Sequence, residues 1–185
     1  MSDAPGHGRR WFVMSAIGED RPGIVADLAE LVYECDCNLE DSRMTVLGTA
    51  FATLLLASGR GDDVGERLAA ACKRLEWEKR LTVFVREVAG PSPAPPTGRR
   101  YECSVTGVDK AGIVATIARH LADEGANVTD LHSTLRQASG SGTPIYALRV
   151  EIVVPSEVPE ARVRERLEAA AATLGVDVQL AALDR

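Results

Sequence analysis

No run in this 185-residue chain approaches the ~20 apolar residues that a membrane span needs. The longest apolar-rich stretch, Ala50 to Ala57, is broken by Thr53. The first ten residues lack an apolar core ahead of Arg9 and Arg10, so they do not read as a secretory signal, and the expected location is cytoplasmic. Basic charge is also in short supply. Lys and Arg number 21 against 27 Asp and Glu, giving a net charge of -6. That balance argues against direct nucleic-acid binding, whose affinity comes from cations neutralising phosphates. The basic pairs Arg9-Arg10, Lys79-Arg80 and Arg99-Arg100 read as solvated strand ends.

Catalytic signatures are missing too. The chain holds no G-x-S-x-G, P-loop or G-x-G-x-x-G, and Gly140-x-Gly142 falls in a hairpin rather than between strand and helix. Of the histidines, His7 lies in the N-terminal tail and His132 is expected to face outward from a strand. His120, on a helical apolar stripe, reads as a partly buried, hydrogen-bonded structural residue. The cysteines are Cys35, Cys37, Cys72 and Cys103. Cys35-x-Cys37 lacks the C-x-x-C spacing of zinc and redox sites, while Cys72 and Cys103 fall on core faces, so reduced thiols and no metal are expected. No cofactor and no enzymatic activity are expected.

The strongest positive signal is an internal repeat. At an offset of 89, Gly18-Glu-Asp-Arg-Pro-Gly-Ile-Val-Ala26 overlies Gly107-Val-Asp-Lys-Ala-Gly-Ile-Val-Ala115, and 11 of 34 ungapped positions from residue 12 to 45 are identical. Composition alone supplies roughly two to four such matches. Two long repeats indicate a tandem pair of modules rather than a solenoid. Between them, segment 89–98 has four prolines in ten residues, an extended spacer of ~30 Å at ~3.1 Å per residue. The expected domains are therefore 10–88 and 99–182.

Each module reads strand, helix, two strands, helix, strand. Tyr101, Cys103 and Val105 alternate with polar residues, and Phe12, Met14 and Ala16 occupy the matching face. The other face of the first strand (Trp11, Val13, Ile17) is also apolar, as if something covers it. A helical stripe follows at Ile24, Leu28, Leu31 and Cys35, with its counterpart at Ile113, Ile117 and Leu121. Asp20 and Asp109 are expected N-caps, with the first helix starting near Arg21 and the second ending at Gly125. Strand pairs Asn38–Leu47 with Thr49–Ala57, and Asn127–Gln137 with Thr143–Val154, turn at Gly48 and at residues 139–142. Second helices carry Val64, Leu68, Cys72 and Leu75, and Val163, Leu167, Ala170 and Leu174. Final strands are Leu81–Val88 and Val176–Leu180. The fold class is α+β: two ferredoxin-like βαββαβ domains, each a four-stranded antiparallel sheet with both helices on one face.

Repeated in both modules are a strand-to-helix turn, Gly18–Gly23 and Gly107–Gly112, and an asparagine opening the second strand, Asn38 and Asn127. Taken singly, the glycines serve close packing, the aspartates capping and the asparagines chain reversal. Together they suit a small zwitterion, because free helix N-terminal amides bind carboxylate and an asparagine amide both donates and accepts. Asp20-Arg-Pro-Gly-Ile-Val-Ala26 and Asp109-Lys-Ala-Gly-Ile-Val-Ala115 resemble the opening of the ACT domain, a βαββαβ amino-acid-sensing module. Two such domains without an attached enzyme resemble the glycine cleavage system transcriptional repressor family.

The resemblance implies a regulatory protein that binds a small amino acid of the glycine or serine class. It also implies a DNA-binding regulator as the protein partner, and homo-oligomerisation. In ligand-binding ACT domains the site lies between two domains, using the first turn of one and the second strand of the other. On this sequence those positions are Glu19, Asp20, Arg21, Pro22, Gly23, Ile24 and Asn38, then Val108, Asp109, Lys110, Ala111, Gly112, Ile113 and Asn127. Asp20 and Asn38 flank a helix of some 14 residues, ~20 Å at 1.5 Å rise, so they cannot share one small ligand. A pseudo-two-fold pairing that sets each turn against the other module's asparagine gives two pockets per chain. Ala111 departs from the proline of the first repeat, which makes the pockets unequal. A ligand-free interaction or oligomerisation module is the competing expectation.

Overall fold

The computed structural model describes residues 8–91, 97–137 and 143–183. His7, the core of the proline-rich spacer and the hairpin tip at residues 139–142 lie outside the described residues. The chain divides into two compact units, Met1–Pro93 and Ala94–Arg185. Unit 1 runs β1 (Arg9–Glu19), α1 (Ile24–Glu34), β2 (Cys37–Leu47), β3 (Ala50–Arg60), α2 (Val64–Lys79) and β4 (Thr82–Val88). Unit 2 repeats the order as β5 (Arg99–Val108), α3 (Ile113–Asp123), β6 (Asn127–Gln137), β7 (Pro144–Val154), α4 (Glu160–Leu174) and β8 (Val176–Ala182). Each unit has a four-stranded antiparallel sheet, ordered β2-β3-β1-β4 and β6-β7-β5-β8.

The period-2 pattern sets the core face. Phe12, Met14 and Ala16 point toward the helices of unit 1, and Tyr101, Cys103 and Val105 toward those of unit 2; all six are buried. The α1 stripe Ile24, Leu28 and Leu31 and the α3 stripe Ile113, Ile117 and Leu121 close over them. From the second helices, Val64, Leu68, Cys72 and Leu75 complete one core, and Val163, Leu167 and Ala170 the other. All four cysteines are free and buried. Burial pushes the Cys72 and Cys103 thiols up to about 11, which leaves them as inert apolar fillers.

Gly18 and Gly107 sit where the backbone leaves no room for a side chain. A Cβ on Gly18 would sit 2.4 Å from Leu81 Cδ2, and one on Gly107 would sit 2.6 Å from Val176 Cγ1. In each unit the glycine near the end of the central strand has no room for a side chain beside the residue at or just before the start of the last strand, so the repeated glycine follows from that contact.

The helix starts differ from expectation. Asp20 and Asp109 are not N-caps, and α1 begins at Ile24 rather than near Arg21. Gly23 and Gly112 hold that position in the left-handed region, with φ of 90° and 94°. The aspartate backbones are used elsewhere: Asp20 N–H donates to Thr49 O at 2.9 Å, and Asp109 N–H to Pro144 O at 3.1 Å. Three residues of turn therefore separate each aspartate from the first helical amide. On the other face of β1, Arg9 stacks over the Trp11 ring at 4.7 Å, Val13 is half-buried and Ile17 is 55% exposed.

Candidate functional site

Both α1 and α3 open without a side-chain cap. The first intrahelical bonds run from Asp27 N–H to Gly23 O and from Thr116 N–H to Gly112 O, each 2.9 Å. The amides of Ile24, Val25 and Ala26, and of Ile113, Val114 and Ala115, have no acceptor among the described residues. The glycines give these amides their access. A Cβ on Gly112 would meet nothing within 4 Å, and one on Gly23 only Arg21 Nη1 at 4.0 Å. Close packing therefore does not explain them; a backbone that only glycine adopts freely does. Each turn presents a patch of unsatisfied donors at the positive end of a helix dipole, a geometry suited to a carboxylate.

The flanks differ between units. Arg21 folds back on the helix, donating from Nη2 to Asp27 Oδ2 at 2.6 Å, while Lys79 Nζ lies 3.1 Å from Asp27 Oδ1. Hydrogen bonds from Arg21 and then Lys79 hold the Asp27 carboxyl below the usual carboxylate range. In unit 2, Thr116 stands where Asp27 would be, and Lys110 and Ala111 replace Arg21 and Pro22. Glu19 and Val108 are the exposed last residues of β1 and β5, and Ile24 and Ile113 anchor the helix starts in the core.

The two asparagines also differ. Both strands carry a bulge at the same place, between Leu39 and Asp41 and between Val128 and Asp130. In unit 1 the bulge turns Glu40 onto a polar knot. Its Oε1 accepts from Asn38 Nδ2 at 2.8 Å and Ser58 Oγ at 2.7 Å, and it pairs with Arg9. Bonds from Ser58, then Asn38, hold the Glu40 carboxyl below its usual range. With its donor engaged, Asn38 keeps Oδ1 to accept from an ammonium. Asn127 is exposed and has no side-chain partner among the described residues, because Thr129 and Val153 stand in the places of Glu40 and Ser58. Within a unit the asparagine lies at the far end of the helix from the turn, ~16 Å along eleven residues of α1 at 1.5 Å rise.

Sequence reasoning missed Glu40, Ser58, Asp27 and Lys79. Arg21 lies outside the helix, so no i,i+4 rule links it to Asp27, and period-2 reading cannot see a bulge. His132 faces solvent as expected. His120 is half-buried, but its Nδ1 is buried with no hydrogen-bond partner, contrary to the hydrogen-bonded role expected of it. Among the described residues, no group of three or more His, Cys, Asp or Glu could hold a metal ion. No described helix is long and apolar enough to cross a membrane.

The chain is thus a duplicated βαββαβ unit in which the first helix of each copy starts on an uncapped left-handed glycine. The family model of the ACT domain matches twice, at residues 10–86 and 103–181, and the chain belongs to the ACT domain family. It is 24% identical over 161 residues to the glycine cleavage system transcriptional repressor of Escherichia coli strain K12, a match spanning 87% of this chain and 84% of that protein. A crystal structure of an unknown protein from Galdieria sulphuraria is 30% identical with a TM-score of 0.81, covering 95% of this chain and 99% of that one. Another, of a protein provisionally described as a glycine cleavage system transcriptional repressor, has a TM-score of 0.73 at 22% identity, covering 96% and 99%. At that identity it shows the shared fold alone.

Proposed function

We propose that this chain is a non-catalytic, amino-acid-sensing regulatory protein that binds a small amino acid of the glycine or serine class between its two ACT domains and acts through a protein partner. The observation that carries this reading is the pair of uncapped helix starts, each offering free amides to a carboxylate beside a glycine that leaves the approach open. In the proposed pairing, the α1 turn faces Asn127 and the α3 turn faces Asn38, each asparagine taking the ammonium or the free carboxylate oxygen. The turns contribute Glu19 to Ile24 and Val108 to Ile113. The acidic pI near 5.2 and the relative named a glycine cleavage system transcriptional repressor both favour control of a DNA-binding regulator over contact with DNA.

Ligand size fixes the expected strength. Glycine has five heavy atoms, and a ceiling of about 1.5 kcal/mol per atom limits its binding to ~7.5 kcal/mol, a micromolar dissociation constant. That range suits the sensing of a metabolite pool. A thermal-shift screen of the twenty amino acids at millimolar concentration is expected to raise the melting temperature for a small one. Calorimetry of Asn38→Ala and Asn127→Ala is then expected to show each variant losing about tenfold in affinity at one site, since a hydrogen bond to a charged group contributes ~1.5–3 kcal/mol. Unchanged affinity in both variants refutes the pairing.

One observation favours a second reading, a ligand-free interaction module. Edge strands β2 and β6 are unpaired on one side within their units, and Met44, Val46, Leu131 and Leu135 stand exposed along them. No thermal shift with any amino acid decides for that module.

A further inference from the structure

The sheet face turned away from the helices differs between the units. In unit 2 it is polar and holds two ion pairs of its own. Arg149 Nε lies 3.4 Å from Glu102 Oε2 and Arg100 Nη2 lies 3.2 Å from Glu151 Oε2, with Ser104 and Thr106 beside them. In unit 1 the same face carries Trp11, Val13, Ile17, Leu54, Leu56 and Phe84, of which Ile17, Leu54 and Phe84 are 55%, 55% and 63% exposed. A contiguous patch of this kind on a folded chain marks an interaction site.

The charges on this face carry the argument further. The strand register places Arg86, Val13, Leu56 and Asp41 in one row across β4, β1, β3 and β2. The next row is Phe84, Ser15, Leu54 and Arg43. Asp41, Arg43 and Arg86 have no ion-pair partner among the described residues, whereas Arg9, Arg10, Arg21, Arg67 and Arg74 of this unit all do. Reversing a row end for end sets Arg86 over Asp41 and Phe84 over Arg43. That reversal is what a two-fold axis lying along the strands does to a second copy. Stacked sheets cross at about −30°, and over half a row of ~7 Å this displaces the ends by ~4 Å, within an arginine's reach.

We propose that the open face of the β1–β4 sheet seats a second copy of this chain, sheet against sheet, making two Arg86–Asp41 pairs and two Arg43–Phe84 cation–π contacts around an apolar centre. The second sheet of the same chain is a poor occupant, because its own open face carries Glu102, Thr106, Arg149 and Glu151 where the β1–β4 sheet has Val13, Ile17, Leu54 and Leu56. Four strands by seven residues give a footprint of roughly 500 Å² per copy, below the ~800 Å² per partner of a standard interface, so the dimer dissociates in the micromolar range. The interface uses neither helix start, and although Asn38 closes the Trp11 row of this face, variants at Leu54, Asp41 and Arg86 leave both asparagines and both turns intact, so failure of the dimer and failure of the ligand reading are read separately.

Sedimentation velocity on the full chain up to about 100 µM tests it. The wild type is expected to shift from monomer to dimer across the series. Leu54→Glu, a substitution on an exposed side chain, is expected to weaken dimerisation at least tenfold while leaving circular dichroism and the urea midpoint unchanged. Asp41→Arg is expected to weaken it several-fold, and the swap Asp41→Arg with Arg86→Asp to restore it. A wild type that stays monomeric, a Leu54→Glu dimer as strong as wild type, or a swap no better than Asp41→Arg alone overturns the proposal.

Discussion

The two units share register, bulge position and helix-start geometry, yet they solve the same local problems with different side chains. Where unit 2 ends its helices on Gly125 and Gly175, with φ of 70° and 69°, unit 1 forces Asp36 and Arg80 into the same region at 52° and 55°. Where unit 1 ties α1 to α2 with the exposed Asp36–Arg67 pair at 2.7 Å, unit 2 buries Glu124 at the end of α3 and sets two arginines against it. Among the described residues, the Arg21–Asp27–Lys79 clamp at the first helix start has no counterpart at the second. Shared features are those the backbone demands, and differing ones are those for which several side chains will do. A duplicated fold thus separates what the architecture fixes from what each copy is free to vary.

The comparison breaks most severely at Glu124. Its side chain is 2% exposed, with Arg162 Nε at 2.6 Å and Arg166 Nε at 3.2 Å. Removing both arginines leaves a buried carboxylate without compensation. A fully buried pair broken this way costs ~3–5 kcal/mol, and because both arginines are more than half exposed the expected loss is about 2–3 kcal/mol. Both tryptophans, Trp11 and Trp77, lie in unit 1, so fluorescence follows that unit while far-UV circular dichroism follows both. Urea unfolding of Arg162→Ala/Arg166→Ala is expected to split the two traces, with only the dichroism transition moving to lower denaturant. Traces that shift together would show that the units do not unfold separately.

The helix-start clamp gives the next effect, and it depends on pH. Asp27 is ionised and bonded by Arg21 and Lys79 in the folded state, which lowers its pKa below the unfolded value. Its contribution is therefore fully present above the unfolded carboxylate pKa of about 4 and is lost as pH falls through the folded value. Charge-assisted bonds of this exposure contribute about 1–2 kcal/mol. Asp27→Asn is expected to lower the fluorescence-detected urea midpoint at pH 7 and to match wild type well below pH 4. An equal gap at both pH values would assign the loss to packing.

Much of this was legible in the sequence, and the illegible part has a common cause. Alternation at Phe12, Met14 and Ala16, the helical stripes and the 89-residue offset fix strands, helices and topology, because burial follows periodicity directly. The helix starts were misread because an aspartate three residues before a glycine spells the same string whether the aspartate caps or the glycine turns; only φ separates them. The Glu40 knot required a bulge, which adds a residue to one strand without marking it. The apolar outer face of β1 was visible as Trp11, Val13 and Ile17, but how far each is exposed depends on where the other elements go.

The smallest effect tests whether the helix ends of unit 1 carry strain. Arg80 caps α2 at φ 55°, ψ 41°, and Gly175 caps α4 at φ 69°, ψ 41°. The Arg80 side chain makes no ion pair or hydrogen bond among the described residues, so only its backbone is at stake. A residue with a Cβ in this region costs roughly 1–2 kcal/mol, and the extra freedom of glycine in the unfolded chain returns ~0.5–1 kcal/mol of that. Arg80→Gly is therefore expected to stabilise unit 1 by about 0.5 kcal/mol, or ~2–4 °C in a unit of this size. Gly175→Ala, whose Cβ would meet nothing within 4 Å, is expected to destabilise unit 2 by a similar amount. Asp36→Gly relieves the same strain but gives up the Arg67 pair, so its expected shift is smaller than that of Arg80→Gly. If Arg80→Gly instead lowers the melting temperature, the arginine stabilises its helix end through the α2 dipole more than its backbone strains it.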